Sequence, residues 1–268
     1  MRPETKWNRC DWAVVLACIG FALVSLGAVS ETGRKRSKES ICRANLRQWH
    51  DIFQGYIDPN GRFISGDPWT PGYYWVKYLS EEHKDWKRTR IWFCPEAQKP
   101  VMDESGRMMA RNSVFSAWGI YKGLAGLGPN GVSGSYGLNS YVIPITSTYE
   151  GGVRPQDGWR NLLEVPHGST VPMFFDALRF DLWPLCTDGP AEYEFAPWTS
   201  NQMARCCINR HVGAVNCLLV DGSVRKVGLK ELWMLKWHQS FNTAGPWTKA
   251  GGVVPSDWPE WIRPFKDY

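Results

Sequence analysis

The sequence predicts an α+β fold in which a long N-terminal helix, half membrane-spanning and half amphipathic, packs on a mostly antiparallel β-sheet head. Three observations predict it. An apolar run from Trp12 to Val29 continues into a helix-patterned segment with no proline between them. The segment AVNCLLVDGSVRKVG reads as two apolar strands joined at Asp221-Gly222. Helix-forming sequence comes first and strand-forming sequence follows, the order of an α+β arrangement.

The run Ala13 to Val29 carries no charge. At ~1.5 Å per residue it reaches roughly 25 Å, just short of a bilayer's apolar thickness, so it predicts a span with snorkelling flanks. Residues 1–30 are accordingly expected to be a cytoplasmic N-terminus and transmembrane segment, and residues 31–268 the head. An alternative is a signal peptide, because Ala28-Val29-Ser30 places small residues where a signal peptidase reads. Beyond the run, Cys42, Leu46, Trp49, Phe53 and Tyr56 recur at steps of four and three, with Arg43, Arg47, Gln48 and Asp51 between them. That pattern is an amphipathic helix with one core-facing stripe. Asp58, Pro59, Asn60 and Gly61 form a turn signal that stops it near Ile57, so residues 31–57 are the amphipathic half of the stem.

Along the head, GDPWTPGYYWVKYL reads as a loop entering a short helix or strand, and RIWFCPEA as a short strand stopped by Pro95. Residues 119–137 are glycine-rich but lack the Gly-Lys-Ser/Thr ending of a phosphate cradle, and read as a surface loop. LNSYVIPIT and VPMFFDALRFDL are predicted strands by their β-branched and aromatic content. In the hairpin, Asp221-Gly222 supplies the positive φ of a tight turn. Leu229 to His238 reads as a closing helix, and the remaining tail as an irregular strap.

The net charge of +5 is modest, and much of it flanks the apolar run, in Arg2, Lys6 and Arg9 before it and Arg34, Lys35, Arg36 and Lys38 after it. Headgroup contact explains this better than nucleic acid, so a membrane is the expected partner and nucleic acid is not. The Lys and Arg count alone places the head in the cytoplasm. Six cysteines after the run, Cys42, Cys94, Cys186, Cys206, Cys207 and Cys217, suit instead a compartment that forms disulfides.

The context CINRHVGAVNCLLVDGSVRKV sets His211 nine residues before Asp221-Gly222. It resembles the H-X9-DG region of bacterial prepilin-like proteins, relatives of type II secretion pseudopilins and type IV pilins. ICRANLRQWHDIFQGYIDPNGRFISG, the Cys94-Pro95 pair and LWMLKWHQSFNT match in the same order. The resemblance implies a pilin-like fold and a non-catalytic structural or assembly subunit. It implies a single-pass inner-membrane protein with its head in the periplasm or on the cell surface, and other pilin-like subunits or secretion machinery as partners. It implies prepilin-type cleavage between Lys6 and Trp7, with Asp11 as the acidic fifth residue of the mature chain, although the usual glycine before the cut is replaced by Lys6. It also implies a disulfide between Cys42 and Cys94.

His211 and Asp221, with Asp176 or Asp181, invite a catalytic or metal reading, calcium being the ion that carboxylate-bearing loops take. The turn already explains Asp221, and the expectation is a structural pair with no cofactor. No nucleophile elbow or His-Glu-x-x-His is present, so no catalytic residue is predicted. The 16 tryptophans raise a rival class, a glycan- or protein-binding module that uses the first helix only as anchor or signal. Trp247, Trp258 and Trp261 in the proline-rich tail are its predicted contact surface.

Overall fold

The computed structural model describes residues 8–64, 74–100, 113–120, 131–148, 153–194 and 201–268, with the side chains at 23, 25–30, 74, 100 and 120 outside the description. Helix α1, Arg9–Gln54, runs unbroken for 46 residues. Asn8 caps it, accepting from the Asp11 amide while the Asp11 carboxylate accepts from the Asn8 amide, a reciprocal box that satisfies two otherwise orphaned donors. Gly55 caps its C-terminal end, two residues after Phe53, the last member of the buried stripe of Cys42, Leu46, Trp49 and Phe53.

Among the described residues no helix is long and apolar enough to cross a membrane. The uncharged run Ala13 to Val29 is itself short of the ~20 residues a span requires, and charged Glu31, Arg34, Lys35 and Arg36 follow. This corrects the expected transmembrane half of the stem, the pilin-like architecture and pseudopilin assignment resting on it, and the single-pass inner-membrane placement. The α+β class stands.

Two short helices, α2 (Tyr74–Lys77) and α3 (Glu81–Lys84), precede a small sheet of β1 (Lys99–Pro100), β2 (Ser116–Ile120) and β3 (Val132–Gly134). The main sheet adds β4 (Tyr136–Asn139), β5 (Pro172–Asp176), β6 (Asp181–Leu182), β7 (Ala214–Leu219) and β8 (Val224–Gly228), in the order β6-β4-β5-β7-β8. All its pairings are antiparallel except β4 with β6. β7 and β8 are the hairpin expected from sequence, turning at Asp221-Gly222 with Gly222 at φ 83°.

Elsewhere the local expectations shift. RIWFCPEA is a 3-10 turn, Arg90–Trp92, rather than a strand, and Leu229 to His238 holds a 3-10 turn, Lys230–Met234, rather than an α-helix. The described end of the glycine-rich stretch is not a surface loop: Val132 to Gly137 is buried strand that passes from one sheet to the other at Ser135. Glycine is there for close approach, since a Cβ at Gly137 would lie 2.5 Å from the Arg179 carbonyl oxygen.

α1 lies against β7 and β8, and its stripe forms an aromatic core. Trp49 sits with ring centroids 4.7 Å from Trp92, 5.1 Å from Phe53 and 5.3 Å from Phe174. A second cluster on the other side of the sheet holds Phe175, Cys206, Cys207, Cys217, Trp233, Trp237 and Trp258. Lys38 to Glu96 (3.1 Å) and Lys226 to Glu39 (3.0 Å) tie the charged middle of α1 to the head.

Candidate metal centre

The buried stripe of α1 begins with Cys42, and the fold brings three other chemically active side chains to it. Cys94 follows the 3-10 turn, fixed by its amide on Ser135 Oγ (2.6 Å) and by Asn45 of α1 donating to the Phe93 carbonyl (2.9 Å). Asp176 is the last residue of β5. His211 precedes β7 in a tight loop closed by its own amide on the Ala214 carbonyl (3.1 Å), with Val212 and Gly213 at positive φ.

One ligand atom from each of Cys42, Cys94, Asp176 and His211 falls within 4.8 Å of the others, and all four residues are buried. His211 Nε2 stands 3.1 Å from Asp176 Oδ2 and 3.3 Å from Cys94 Sγ. Cys42 Sγ stands 3.6 Å from Asp176 Oδ2. A surrounding layer holds these groups in place. Tyr136 donates its hydroxyl to Cys42 Sγ (3.3 Å), and the Asn216 amide donates to Asp176 Oδ2 (2.8 Å). Arg210 lies 3.5 Å from Asp176 Oδ1, its other donors on the carbonyls of Val114, Ser116, Ser135 and Ala177.

Burial opposes charge on Asp176, but His211 and Arg210 outweigh it and hold the carboxyl below its usual range. Burial likewise opposes the imidazolium of His211, and the Asp176 charge and hydrogen bond overcome it, raising His211 to about 10. Burial pushes the Cys94 thiol well up, and neighbouring Cys42 and Asp176 push it further. These shifts favour an ionic His211–Asp176 pair and a protonated Cys94 thiol.

Of the residues singled out from sequence, His211 is in this cluster and Asp221 is not. Asp221 accepts from the Ser223 amide (3.0 Å) and hydroxyl (2.6 Å) within the hairpin turn. Asp181 pairs with Arg179 (2.9 Å), leaving Asp176 as the acid that meets His211. Cys42 and Cys94 do come together, as free thiols and not as the disulfide that the resemblance implies. The thiol-rich donor set does not suit calcium, which takes oxygen ligands. Asp11 serves the helix cap, while Lys6 and Trp7 lie outside the described residues.

The tail tryptophans turn inward. Trp258 is 3% exposed, with its ring centroid 5.3 Å from Trp233 and 5.4 Å from Trp247. Trp261, half-buried, donates to the Ala191 carbonyl (2.9 Å). Trp258, one of the three predicted contact residues, belongs to the second core, and Trp247 and Trp261 are partly buried against it. Sequence reading missed Arg210 and Tyr136. The signal for Arg210 was its place beside His211, since a charge next to a buried histidine has to be accommodated.

Compared with protein families, with curated proteins and with solved structures, the chain matches none.

Proposed function

We propose that this chain is a non-catalytic assembly subunit, in which the N-terminal half of α1 associates with the same segment of other copies while the head is carried rigidly on the other half. The observation that carries this reading is the division of one helix into two unlike surfaces. Cys42, Leu46, Trp49 and Phe53 are fully buried in the head. Trp12, Val14, Leu16, Ile19, Phe21 and Val24 are at least half exposed. A helix apolar on every side calls for burial, and a contiguous apolar surface of this kind marks an interaction site. Because the two halves form one unbroken helix, association of the arm fixes where the head stands.

The cluster described above supports a non-catalytic reading. A nucleophilic cysteine has to be a thiolate that substrate can reach. Cys94 is fully buried and its thiol is held protonated.

Sedimentation velocity of the full chain over a wide concentration range tests the proposal. Oligomers that grow with concentration, and that Leu16→Glu with Phe21→Glu reduces to monomers of unchanged circular dichroism, are the expected result. A wild-type chain that stays monomeric throughout would overturn it.

A further inference from the structure

The cluster under α1 has the composition and spacing of a closed metal site. We propose that Cys42, Cys94, Asp176 and His211 together bind one zinc ion, which clamps α1 to the sheet.

With Zn–S near 2.3 Å and Zn–N and Zn–O near 2.0–2.1 Å, a tetrahedral ion sets its ligand atoms about 3.3–3.7 Å apart, edge by edge. The contacts here are 3.6 Å from Cys42 Sγ to Asp176 Oδ2, 3.3 Å from Cys94 Sγ to His211 Nε2 and 3.1 Å from His211 Nε2 to Asp176 Oδ2. These three of the six edges lie at or close to that spacing, and all four ligand atoms fall within 4.8 Å of one another.

Two thiols, an imidazole and one carboxylate form a soft to borderline donor set that suits zinc and not magnesium or calcium. Without an ion these donors satisfy one another poorly. A single Nε2–H of His211 faces both Cys94 Sγ and Asp176 Oδ2, and both oxygens of Asp176 lie near Cys42 Sγ, at 3.6 and 3.7 Å.

A divalent ion bound by two thiolates, one carboxylate and a neutral imidazole, with Arg210 alongside, sums to zero. On binding, the protons that the ligands carry pass to water, and the two sulfurs, Nε2 and one Asp176 oxygen each donate an electron pair to the ion.

The surrounding layer fits as well. Metal ligands are commonly held by outer hydrogen bonds, and here Tyr136 donates to Cys42 Sγ and the Asn216 amide to Asp176 Oδ2. All four corners are protein atoms and the residues are buried, which is the closed form of a structural site. The ligands come from α1, the segment after the 3-10 turn, the end of β5 and the loop before β7. The ion would therefore join parts of the chain that are distant in sequence. The site does not depend on how the arm associates.

The test is to purify the full chain under reducing conditions with zinc supplied, remove loosely held metal by gel filtration, and measure zinc by inductively coupled plasma mass spectrometry. About one zinc per chain is expected, with at least a tenfold loss of retention in Cys94→Ser and none in Cys217→Ser, a buried thiol outside the cluster. Cobalt substitution of the unmutated chain provides a readout that survives misfolding of the variant. Intense visible d–d bands with a near-ultraviolet sulfur-to-cobalt charge-transfer band are expected for tetrahedral coordination by thiolates. The inference is overturned if the folded wild-type chain retains less than about a tenth of an equivalent of zinc and gives only the pale octahedral cobalt spectrum. It is also overturned if, in the presence of zinc, peptide mapping finds Cys42 and Cys94 joined by a disulfide.

Discussion

Arg210 and Asp176 meet inside the protein with both side chains fully enclosed and the guanidinium 3.5 Å from Oδ1. The arginine does more than balance that carboxylate. Its remaining donors fall on four carbonyls, of Val114, Ser116, Ser135 and Ala177, so that one side chain joins β2, the sheet crossover and the end of β5.

Replacing it therefore leaves a buried carboxylate and four carbonyl groups short of a donor. Arg210→Met is expected to cost about 3–5 kcal/mol in urea unfolding, the range for breaking a buried pair. Arg225→Met is the control. Arg225 lies only 2.6 Å from Glu231, but both side chains reach solvent. A screened pair of that kind is worth about 1 kcal/mol or less despite its shorter distance. Equal costs for the two substitutions would show that burial does not govern these pairs.

Trp49 tests the aromatic core. Its ring meets those of Phe53, Trp75, Trp92 and Phe174, and its indole N–H donates to the Ile91 carbonyl (2.9 Å). Trp49→Ala is expected to destabilise the head by about 3–5 kcal/mol, and Trp49→Phe by clearly less, because the cavity is smaller. Chemical denaturation followed by far-ultraviolet circular dichroism measures both. A cost below about 1 kcal/mol for the alanine variant would mean that α1 is not built into the core as described.

This stripe was legible in the sequence because burial on one face of a helix imposes steps of three and four, which Cys42, Leu46, Trp49 and Phe53 display. The β7–β8 hairpin was legible because Asp221-Gly222 meets a local backbone demand. What sets the metal cluster is not local. Cys42, Cys94, Asp176 and His211 come from four separated segments, and no spacing rule relates a helix residue to the loop before a distant strand. The buried crossover from Val132 to Gly137 was hidden for a different reason, since glycine means exposed loop in one setting and close packing in another. β1 and β6, two residues each, are too short to show any period. The burial of Trp258 was hidden because proline-rich sequence suggests exposure, whereas here it wraps a second core.

The hairpin tip leans on α1, and Gly222 shows how closely. Its φ of 83° is unfavourable for any other residue, and an added Cβ would lie 2.5 Å from His50 Nε2. Gly222→Ala is expected to cost about 1–2 kcal/mol, combining backbone strain with that contact. His50 is a side chain that can be removed, so adding His50→Ala should recover the contact part, about 0.5–1 kcal/mol, and leave the strain. A double-mutant cycle in urea gives both parts, and strict additivity would mean that the two residues do not touch in solution.

His238 gives the pH dependence. Burial holds its imidazolium down to about 4, with Lys236 and Arg154 adding to the effect and Asp157 opposing it. The ring packs on Tyr141 with centroids 4.4 Å apart, and its Nδ1 is buried without a hydrogen bond. A base whose folded value lies below its unfolded value, near 6.5, stays neutral in the native state while the unfolded chain takes up a proton. The stability this contributes is present in full above about pH 6.5, declines as pH falls from there, and is gone once pH has passed through about 4. Asp157 is held below its usual range, so its own loss begins lower, as pH falls past about 3.8. The interval between pH 6.5 and 4 therefore holds the histidine's contribution, together with that of Asp188, whose carboxyl burial raises and which works in the opposite direction, so the histidine is read from the difference between wild type and variant. Unfolding free energies measured across that interval should fall in the wild-type chain and flatten in His238→Phe, which keeps a ring against Tyr141 and cannot take up a proton. An equally steep decline in the variant would place the titration elsewhere.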